Sequence, residues 1–289
     1  MLKNEKVVVL VSGGQDSTVA YHLALKKFGY ENVIALYVDI DQPYRDQEIK
    51  ALIALGISFV EVKADLCTKL LNNIPTPEKQ AIYGRNLLMT FYGALLGGRV
   101  WLSALENELV ASVPDMEWSF FTQATAFYTT TFKELRPHTI VETPFENMTK
   151  TEMIEFALGH TDKFNSLSLT KGYLLKTVSC YDPEGSCGKC AACFKRWISW
   201  VNNDIEENFK VKPYDPKTTV RHPHVEKTII GMQNGETHYW ATPKRVAETH
   251  NALVRVGGKG VVQSWAYHQI PANLLTGWLP EYQWVDAVR

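Results

Sequence analysis

The feature that most constrains the fold of this chain is a short apolar run that leads directly into a glycine loop. Val7–Val11 is continuously apolar, and Ser12-Gly13-Gly14-Gln15-Asp16-Ser17-Thr18 follows it at once. Continuous apolar character suits a β-strand that is buried on both faces of a parallel sheet. The heptapeptide is therefore predicted to be a tight turn from a buried strand into a helix.

Short β-branched runs alternate with longer helical patterns from Lys6 to about Gly159. The predicted strands are Val7–Val11, Val33–Ile40, Phe59–Lys63, Val100–Leu105 and Thr139–Glu142. The predicted helices are Asp16–Lys27, Asp46–Leu55, Arg85–Leu96 and Trp118–Leu135, and a further helix begins at Thr149, where Thr149 and Glu152 have the spacing of a capping box. This alternation predicts an α/β fold with a doubly wound parallel sheet and right-handed crossovers. Ligands of such sheets bind beyond the carboxyl ends of the strands, where the loop after Val11 should lie.

The segment from Lys212 to Lys217 reads as a linker because it carries two prolines among polar residues. It divides the chain into a large first domain, residues 1–205, and a small α+β appendage, residues 217–289; the motifs described below lie in the first domain and predict that it is the catalytic one. The elements predicted for the appendage are a hairpin of Thr228–Met232 and Thr237–Ala241, a helix from Pro243 to about Val254 with Thr242 as its N-cap, and a strand near Gly260–Trp265.

Charge and hydropathy limit the partners. The formal net charge is -1 over 289 residues, which argues against a globally basic nucleic-acid binder. Nucleic acid could bind only through the appendage, which mixes aromatic and basic residues, although such residues more often form a small core with a solvated face. These residues are Trp240, Lys244, Arg245, Arg255, Lys259 and Trp265. With no membrane-length apolar run and no signal-peptide core at the start, we expect a cytoplasmic protein without a membrane partner.

The glycine loop has the chemistry of a phosphate cradle. Gly13 and Gly14 allow a tight turn whose N–H groups face an anion, and the following helix adds the positive end of its dipole. The candidate nucleotide-binding residues are Ser12, Gly13, Gly14, Gln15, Ser17 and Thr18. Asp16 is a carboxylate beside an anion site, which suits Mg²⁺ bridging phosphates. The alternative is a structural turn whose serines and aspartate only cap the helix. The Walker A spacing and its lysine are absent.

Four of the five cysteines lie within 14 residues of sequence, from 180 to 193. Cys180, Cys187, Cys190 and Cys193 contain two C-x₂-C spacings and can close a tetrahedral, structural Zn²⁺ site. An iron–sulfur cluster is the rival assignment. Cys67 stands alone, and we expect a buried, inert thiol there.

Short motifs in a fixed order extend this pattern. After the loop come Gly84-Arg85-Asn86, Lys150-Thr151-Glu152, Ser179-Cys180-Tyr181 and the cysteines up to Cys193. The loop resembles the PP-loop of enzymes that split ATP into AMP and pyrophosphate while they adenylate a substrate oxygen. With the other motifs, residues 6–200 resemble the 7-cyano-7-deazaguanine synthase family.

The resemblance implies an ATP-dependent ligase that makes 7-cyano-7-deazaguanine from 7-carboxy-7-deazaguanine and ammonia, with ATP, Mg²⁺ and Zn²⁺. Asp16, Arg85 and Lys150 would be catalytic. Asp115, Glu106 and Asn107 are the candidates for substrate binding, although Asp115 could equally cap a helix. Two family segments are altered here, to Asp41-Gln42-Pro43-Tyr44 and to Val113-Pro114-Asp115-Met116-Glu117, so the identity of the substrate stays open.

Two other functions compete with this interpretation. One is a tRNA thiolase, which also pairs a PP-loop with cysteines but would need a catalytic cysteine outside the cluster; Cys67 is the candidate. The other is a divergent family member that acts on another carboxylate or on a macromolecule. The sequence is compatible with a homodimer.

Overall fold

The computed structural model describes residues 6–64, 84–110, 115–136, 138–160, 166–180, 182, 184–218, 223–234 and 242–261. The strands are β1 (Val7–Leu10), β2 (Val33–Asp39), β3 (Val60–Lys63), β4 (Arg99–Trp101) and β5 (Ile140–Glu142). The helices are α1 (Gln15–Phe28), α2 (Arg45–Ala54), α3 (Arg85–Leu96), α4 (Glu106–Val110), α5 (Trp118–Thr131), α6 (Lys150–Leu158), α7 (Lys171–Leu174), α8 (Ala191–Asn202), α9 (Pro223–Asn234) and α10 (Pro243–Arg255).

The five strands form one parallel sheet in the order β3-β2-β1-β4-β5. Strand β1 lies at the centre, where Val7 pairs with Val33 on one side and with Arg99 on the other. The chain builds the sheet outward through β2 and β3, then returns to the other side of β1. This reversal creates a switch point at the carboxyl end of β1. The predicted doubly wound α/β fold is confirmed.

The apolar run of β1 supplies both cores of the molecule. Val7 and Val9 belong to the core on one face of the sheet, whereas Val8 and Leu10 belong to the core on the other face. None of the four is more than 7% exposed. Because side chains alternate across a strand, a strand covered on both faces must be apolar at every position.

Most predicted boundaries hold within one or two residues, and two do not. Strand β4 ends at Trp101 rather than at Leu105, because the chain leaves the sheet there; Leu105 makes only an isolated bridge with Phe145. Helix α5 ends at Thr131 rather than at Leu135. The capping box at α6 is confirmed: the Thr149 hydroxyl accepts from the N–H of Glu152 and the Glu152 carboxylate accepts from the N–H of Thr149.

The strand predicted at Thr228–Met232 is wrong, because these residues lie in helix α9. Val225, Ile229 and Met232 are buried, whereas Ile230 is 46% exposed. Buried residues that recur every three or four positions are typical of a helix. The prediction gave more weight to the β-branched residues, which favour a strand. The predicted strand Thr237–Ala241 and most of Gly260–Trp265 lie outside the described residues.

Helix α10 begins as predicted, with the Thr242 hydroxyl accepting from the N–H of Arg245 and Pro243 in the first turn. It packs on α8 together with α9, in a third core that contains Phe194 and Trp197 of α8 and Leu253 of α10. The division of the chain near residues 205–217 stays a prediction. Among the described residues, no helix has the length and apolar character needed to cross a membrane.

Candidate functional site

The glycine loop is fixed by its backbone. Gly13 has φ +68°, and a Cβ on it would lie 2.8 Å from the Cβ of Ala51 in α2. Its carbonyl accepts from the N–H of Val178 at 2.9 Å. Gly14 is the N-cap of α1 and has no side chain with which to cap it. The loop therefore presents the positive end of a 14-residue helix beside the carboxyl end of the sheet.

The predicted loop residues divide into two groups. Ser12, Gly14 and Ser17 line the cavity above the sheet, and the hydroxyls of Ser12 and Ser17 lie 3.4 Å apart. Gln15 lines the adjoining second cavity although it is only 1% exposed, and its amide donates to the Ser199 hydroxyl of α8 at 3.4 Å. Thr18 is fully buried, and no group in the described part of the chain hydrogen-bonds to its hydroxyl.

An ion pair joins the loop to α6. The Nζ of Lys150 lies 2.7 Å from Oδ2 of Asp16, with the two side chains 12% and 25% exposed. Lys150 is the first residue of α6, directly after the capping residue Thr149. Within the described residues, Oδ1 of Asp16 is buried without a hydrogen-bond partner. A carboxylate oxygen without a hydrogen-bond partner is a suitable ligand for Mg²⁺, so Asp16 could hold the Mg²⁺ ion predicted from the glycine loop.

The first cavity, of about 270 Å³, lies between the loop and α3. Its apolar walls come from the sheet and α3, including Leu36, Val38 and Met89. Arg85, the first residue of α3, lies at its edge with a buried Nε, and Asn86 donates to the carbonyl of Asp115 at 3.0 Å. Apolar walls that end at a glycine loop suit a small organic ligand with an anionic group.

Glu48 of α2 lines this cavity and was not predicted as a site residue. Its carboxylate accepts from the hydroxyl of Tyr37 and from the amide of Gln42, each at 2.8 Å. Burial raises the pKa of Glu48, while these hydrogen bonds and the charge of Arg85 oppose the shift. The available sequence signal was the position of Gln42, in the altered segment Asp41-Gln42-Pro43-Tyr44.

A second cavity, of about 330 Å³, adjoins the first and shares Asp16 and Glu48 with it. It extends to the cysteine cluster and is also lined by Lys150, Glu108 and Lys195. Lys195 lies 4.0 Å from Glu108. Burial lowers the pKa of Lys195 to about 8, although the charge of Glu108 opposes this. Neither Glu108 nor Lys195 was predicted as a site residue.

The three predicted substrate residues line neither of these cavities. Glu106 accepts from the hydroxyl of Thr242 at 3.3 Å, and burial raises its pKa. Asn107 is 5% exposed. Asp115 contributes its main-chain carbonyl to Asn86. Their role in binding substrate stays a prediction.

The four predicted cysteine ligands converge. Their sulfurs all lie within 4.8 Å of one another, with 3.9 Å between Cys180 and Cys190 and 3.9 Å between Cys187 and Cys193. Sulfurs that bind one zinc tetrahedrally at about 2.3 Å lie about 3.8 Å apart. The N–H of Cys193 points at the sulfur of Cys190 at 3.4 Å, and the N–H of Cys187 at that of Cys180 at 3.4 Å. The cluster fits a Cys₄ zinc knuckle.

Arg196 links the knuckle to the loop. It is 1% exposed, and its guanidinium donates to Glu207, to Thr177 at 2.7 Å and to Ser179 at 3.3 Å. Ser179 in turn donates to Gln15 at 3.5 Å. A buried guanidinium with this many acceptors makes the wall between knuckle and loop one hydrogen-bonded unit.

The sheet, the glycine loop after β1 and the cysteine knuckle define a doubly wound α/β protein with a metal-type knuckle beside its ligand cleft. A family model described as queuosine biosynthesis protein QueC matches residues 6–204, and the chain belongs to this family. The resemblance to 7-cyano-7-deazaguanine synthases is therefore confirmed, and residues 205–289 lie beyond the match.

Two curated relatives agree with this assignment, and a third, of a different enzyme, shares only a short segment. The 7-cyano-7-deazaguanine synthase of Campylobacter jejuni subsp. jejuni serotype O:6 is 26% identical over 237 residues, which cover 72% of this chain and 99% of the relative. The synthase of serotype O:2 is 26% identical over 242 residues, with the same shares. The glutamine-hydrolysing GMP synthase of Dictyostelium discoideum is 46% identical over 67 residues, which cover 22% of this chain and only 9% of that relative.

Proposed function

We propose that this protein is an ATP-dependent ligase that converts 7-carboxy-7-deazaguanine and ammonia into 7-cyano-7-deazaguanine. The observation that carries the proposal is the Asp16–Lys150 ion pair at the start of α1, where the two cavities meet. The names of the relatives support the product, and the membership of the QueC family supports a place in queuosine biosynthesis.

ATP would lie in the first cavity with its phosphates at the loop. The N–H groups at the start of α1 and the hydroxyls of Ser12 and Ser17 would bind phosphate oxygens. Arg85 and Lys150 would neutralise charge at the two ends of the triphosphate. When bound at Asp16, Mg²⁺ would offset the charge of the leaving pyrophosphate.

The chemistry replaces a poor leaving group twice. A carboxylate oxygen attacks the α-phosphorus of ATP, and pyrophosphate leaves with the electrons of the broken P–O bond. Ammonia attacks the acyl carbon, loses a proton and expels AMP, which leaves the amide. The amide oxygen then attacks a second ATP and expels pyrophosphate. Loss of the two N–H protons and cleavage of the C–O bond release a second AMP and the nitrile.

The second cavity would hold the carboxylate substrate that receives the adenylyl group from ATP. It opens beside Asp16 and carries the cations of Lys150 and Lys195 with the carboxylate of Glu108. A carboxylate-bearing base placed here would direct its carboxylate to the α-phosphate across the shared wall. Proximity of this kind supplies much of the rate of a two-substrate reaction.

The test is incubation with ATP, Mg²⁺, ammonium and 7-carboxy-7-deazaguanine, with products identified by mass spectrometry. We expect the nitrile and two AMP for each nitrile. Lys150→Met should lower the rate about 100-fold or more, since it removes a cation that faces developing charge. Lys133→Met is the matched control, because Lys133 is 69% exposed. AMP release that requires tRNA and a sulfur donor would favour the thiolase instead.

The second candidate function is the same ligase chemistry on a different carboxylate substrate. It is favoured by the absence of Glu106, Asn107 and Asp115 from the linings of both cavities. If the protein releases AMP with another carboxylate and ammonium but not with 7-carboxy-7-deazaguanine, the ligase chemistry stands and the substrate assignment fails.

A further inference from the structure

A carboxylate from outside the family match reaches the first turn of α6. Oε2 of Glu248, in α10, accepts from the N–H of Thr151 at 3.2 Å. Thr151 directly follows Lys150, whose Nζ is paired with Asp16. A residue beyond position 204 therefore contacts the backbone next to the lysine at the cleft.

The contact is buried and charged. Glu248 is 5% exposed, and it forms an ion pair with Arg245, which is 2% exposed. A buried ion pair gives little net stability compared with apolar residues of the same volume, so stability is a weak reason for its presence. Its placement is specific, because a negative charge at a helix N-terminus interacts favourably with the helix dipole and binds an N–H that the helix cannot satisfy.

Helix α8 holds the same turn from another side. The amide of Asn202 donates to the carbonyl of Glu248 at 2.8 Å, and the amide of Asn203 donates to the carbonyl of Thr151 at 3.1 Å. Thr151 is thus bound through its N–H to α10 and through its C=O to Asn203, the residue that follows α8. This arrangement fixes the direction in which the neighbouring Lys150 leaves the backbone.

We propose that Glu248 is a positioning residue for Lys150: it fixes the first turn of α6 so that the ammonium reaches Asp16 and the phosphates of ATP. Helix α10, which lies beyond residue 204, then helps to shape the nucleotide site. The effect on α6 follows from the contacts alone, whereas the effect on ATP rests on the function proposed above.

The first test compares Glu248→Gln with Arg255→Gln by hydrogen exchange and mass spectrometry of the full chain. Arg255 makes an exposed ion pair with Asp204 at 3.0 Å, so its variant also breaks an ion pair between α10 and the end of α8 but does not touch α6. We expect amides at the start of α6 to exchange about fivefold faster or more in Glu248→Gln and to be unchanged in Arg255→Gln. Equal exchange in the two variants overturns the proposal.

Glu248→Gln leaves Arg245 as a buried unpaired charge, which could unfold the protein. The double variant Arg245→Met/Glu248→Gln removes both charges at similar volume and guards against this outcome. It should show the same faster exchange at the start of α6. If it restores the slow exchange of the wild-type protein, the carboxylate has no positioning role.

The second test measures the affinity for MgATP by calorimetry. The double variant should bind about tenfold more weakly, because a misplaced cation loses much of its interaction with phosphate. In a Lys150→Met background the same change should have no further effect, whereas a general structural defect would add its own loss. An additive loss overturns the proposal. A wild-type protein that does not bind MgATP contradicts the proposed function, and the exchange test still decides the role of Glu248.

Discussion

The two ends of the cleft acquire their shape in different ways. At the nucleotide end, Gly13 is pressed against α2 and Gly14 begins a long helix at the end of a buried strand. At the knuckle, residues 184–190 lie in no helix or strand, and four sulfurs converge from short segments. Packing of the backbone against α2 shapes the first end. Four neighbouring thiolates repel one another, so the second end should depend on a cation.

The largest expected effect is at the knuckle. Cys190→Ser should reduce zinc from about one per chain to none, and the melting temperature should fall by about 10 °C or more, because metal binding contributes directly to folding. Metal analysis and calorimetry provide the measurement. The control is Cys67→Ser, which should keep its zinc; Cys67 lies outside the described residues and outside the four-cysteine cluster of the sequence. Iron with visible absorbance would replace the zinc assignment.

At the nucleotide end, a change of charge should affect chemistry and leave the fold intact. Asp16→Asn removes the carboxylate that pairs with Lys150, and kcat/KM for ATP should fall about 100- to 1,000-fold, or about 3–4 kcal/mol. The control is Asp46→Asn, since Asp46 is 83% exposed. Activity within a factor of about three of the wild-type value would show that the carboxylate of Asp16 has no role in the reaction.

Whether packing forms the loop can be tested with two glycines. Gly13 and Gly56 have nearly equal φ angles, +68° and +67°, but of the two only Gly13 has another residue within reach of an added Cβ. Gly13→Ala should destabilise the protein by about 2–3 kcal/mol, and Gly56→Ala by about 1 kcal/mol, in urea unfolding. Equal effects would show that close packing against α2 does not shape the loop.

The smallest effect concerns pH. Burial raises the pKa of Glu48 above the ordinary 4.5, so the folded protein retains this proton more tightly than the unfolded chain. The contribution of Glu48 to stability should therefore fall as pH rises from 4.5 through the pKa of Glu48 in the folded protein. Each tenfold increase in proton affinity on folding corresponds to a loss of about 1.4 kcal/mol. Unfolding of the wild type and of Glu48→Gln at several pH values should converge at low pH. Glu134→Gln, at an exposed position, should show no such trend.

Much of the sheet and of both ends of the cleft could be predicted from local patterns. Three features can each be predicted from a few consecutive residues: a strand buried on both faces, a glycine loop and paired C-x₂-C spacings. The place of Lys195 in the second cavity could not be predicted, because it depends on elements far away in sequence, whereas Glu48 had a signal in the nearby altered segment around Gln42. The strand predicted at Thr228–Met232 failed because β-branched residues were given more weight than the helical spacing of Val225, Ile229 and Met232.

Helix α8 has consequences for how this protein can evolve. Its Trp200 lies in the core against the sheet, while Phe194 and Trp197 lie in the core with α9 and α10. The two aromatic rings of the second pair stack at 5.9 Å, in a position that water would otherwise reach. A descendant that lost α9 and α10 would need polar residues at both positions first. The C-terminal helices and α8 should therefore be kept or lost together in evolution, although the family match ends at residue 204.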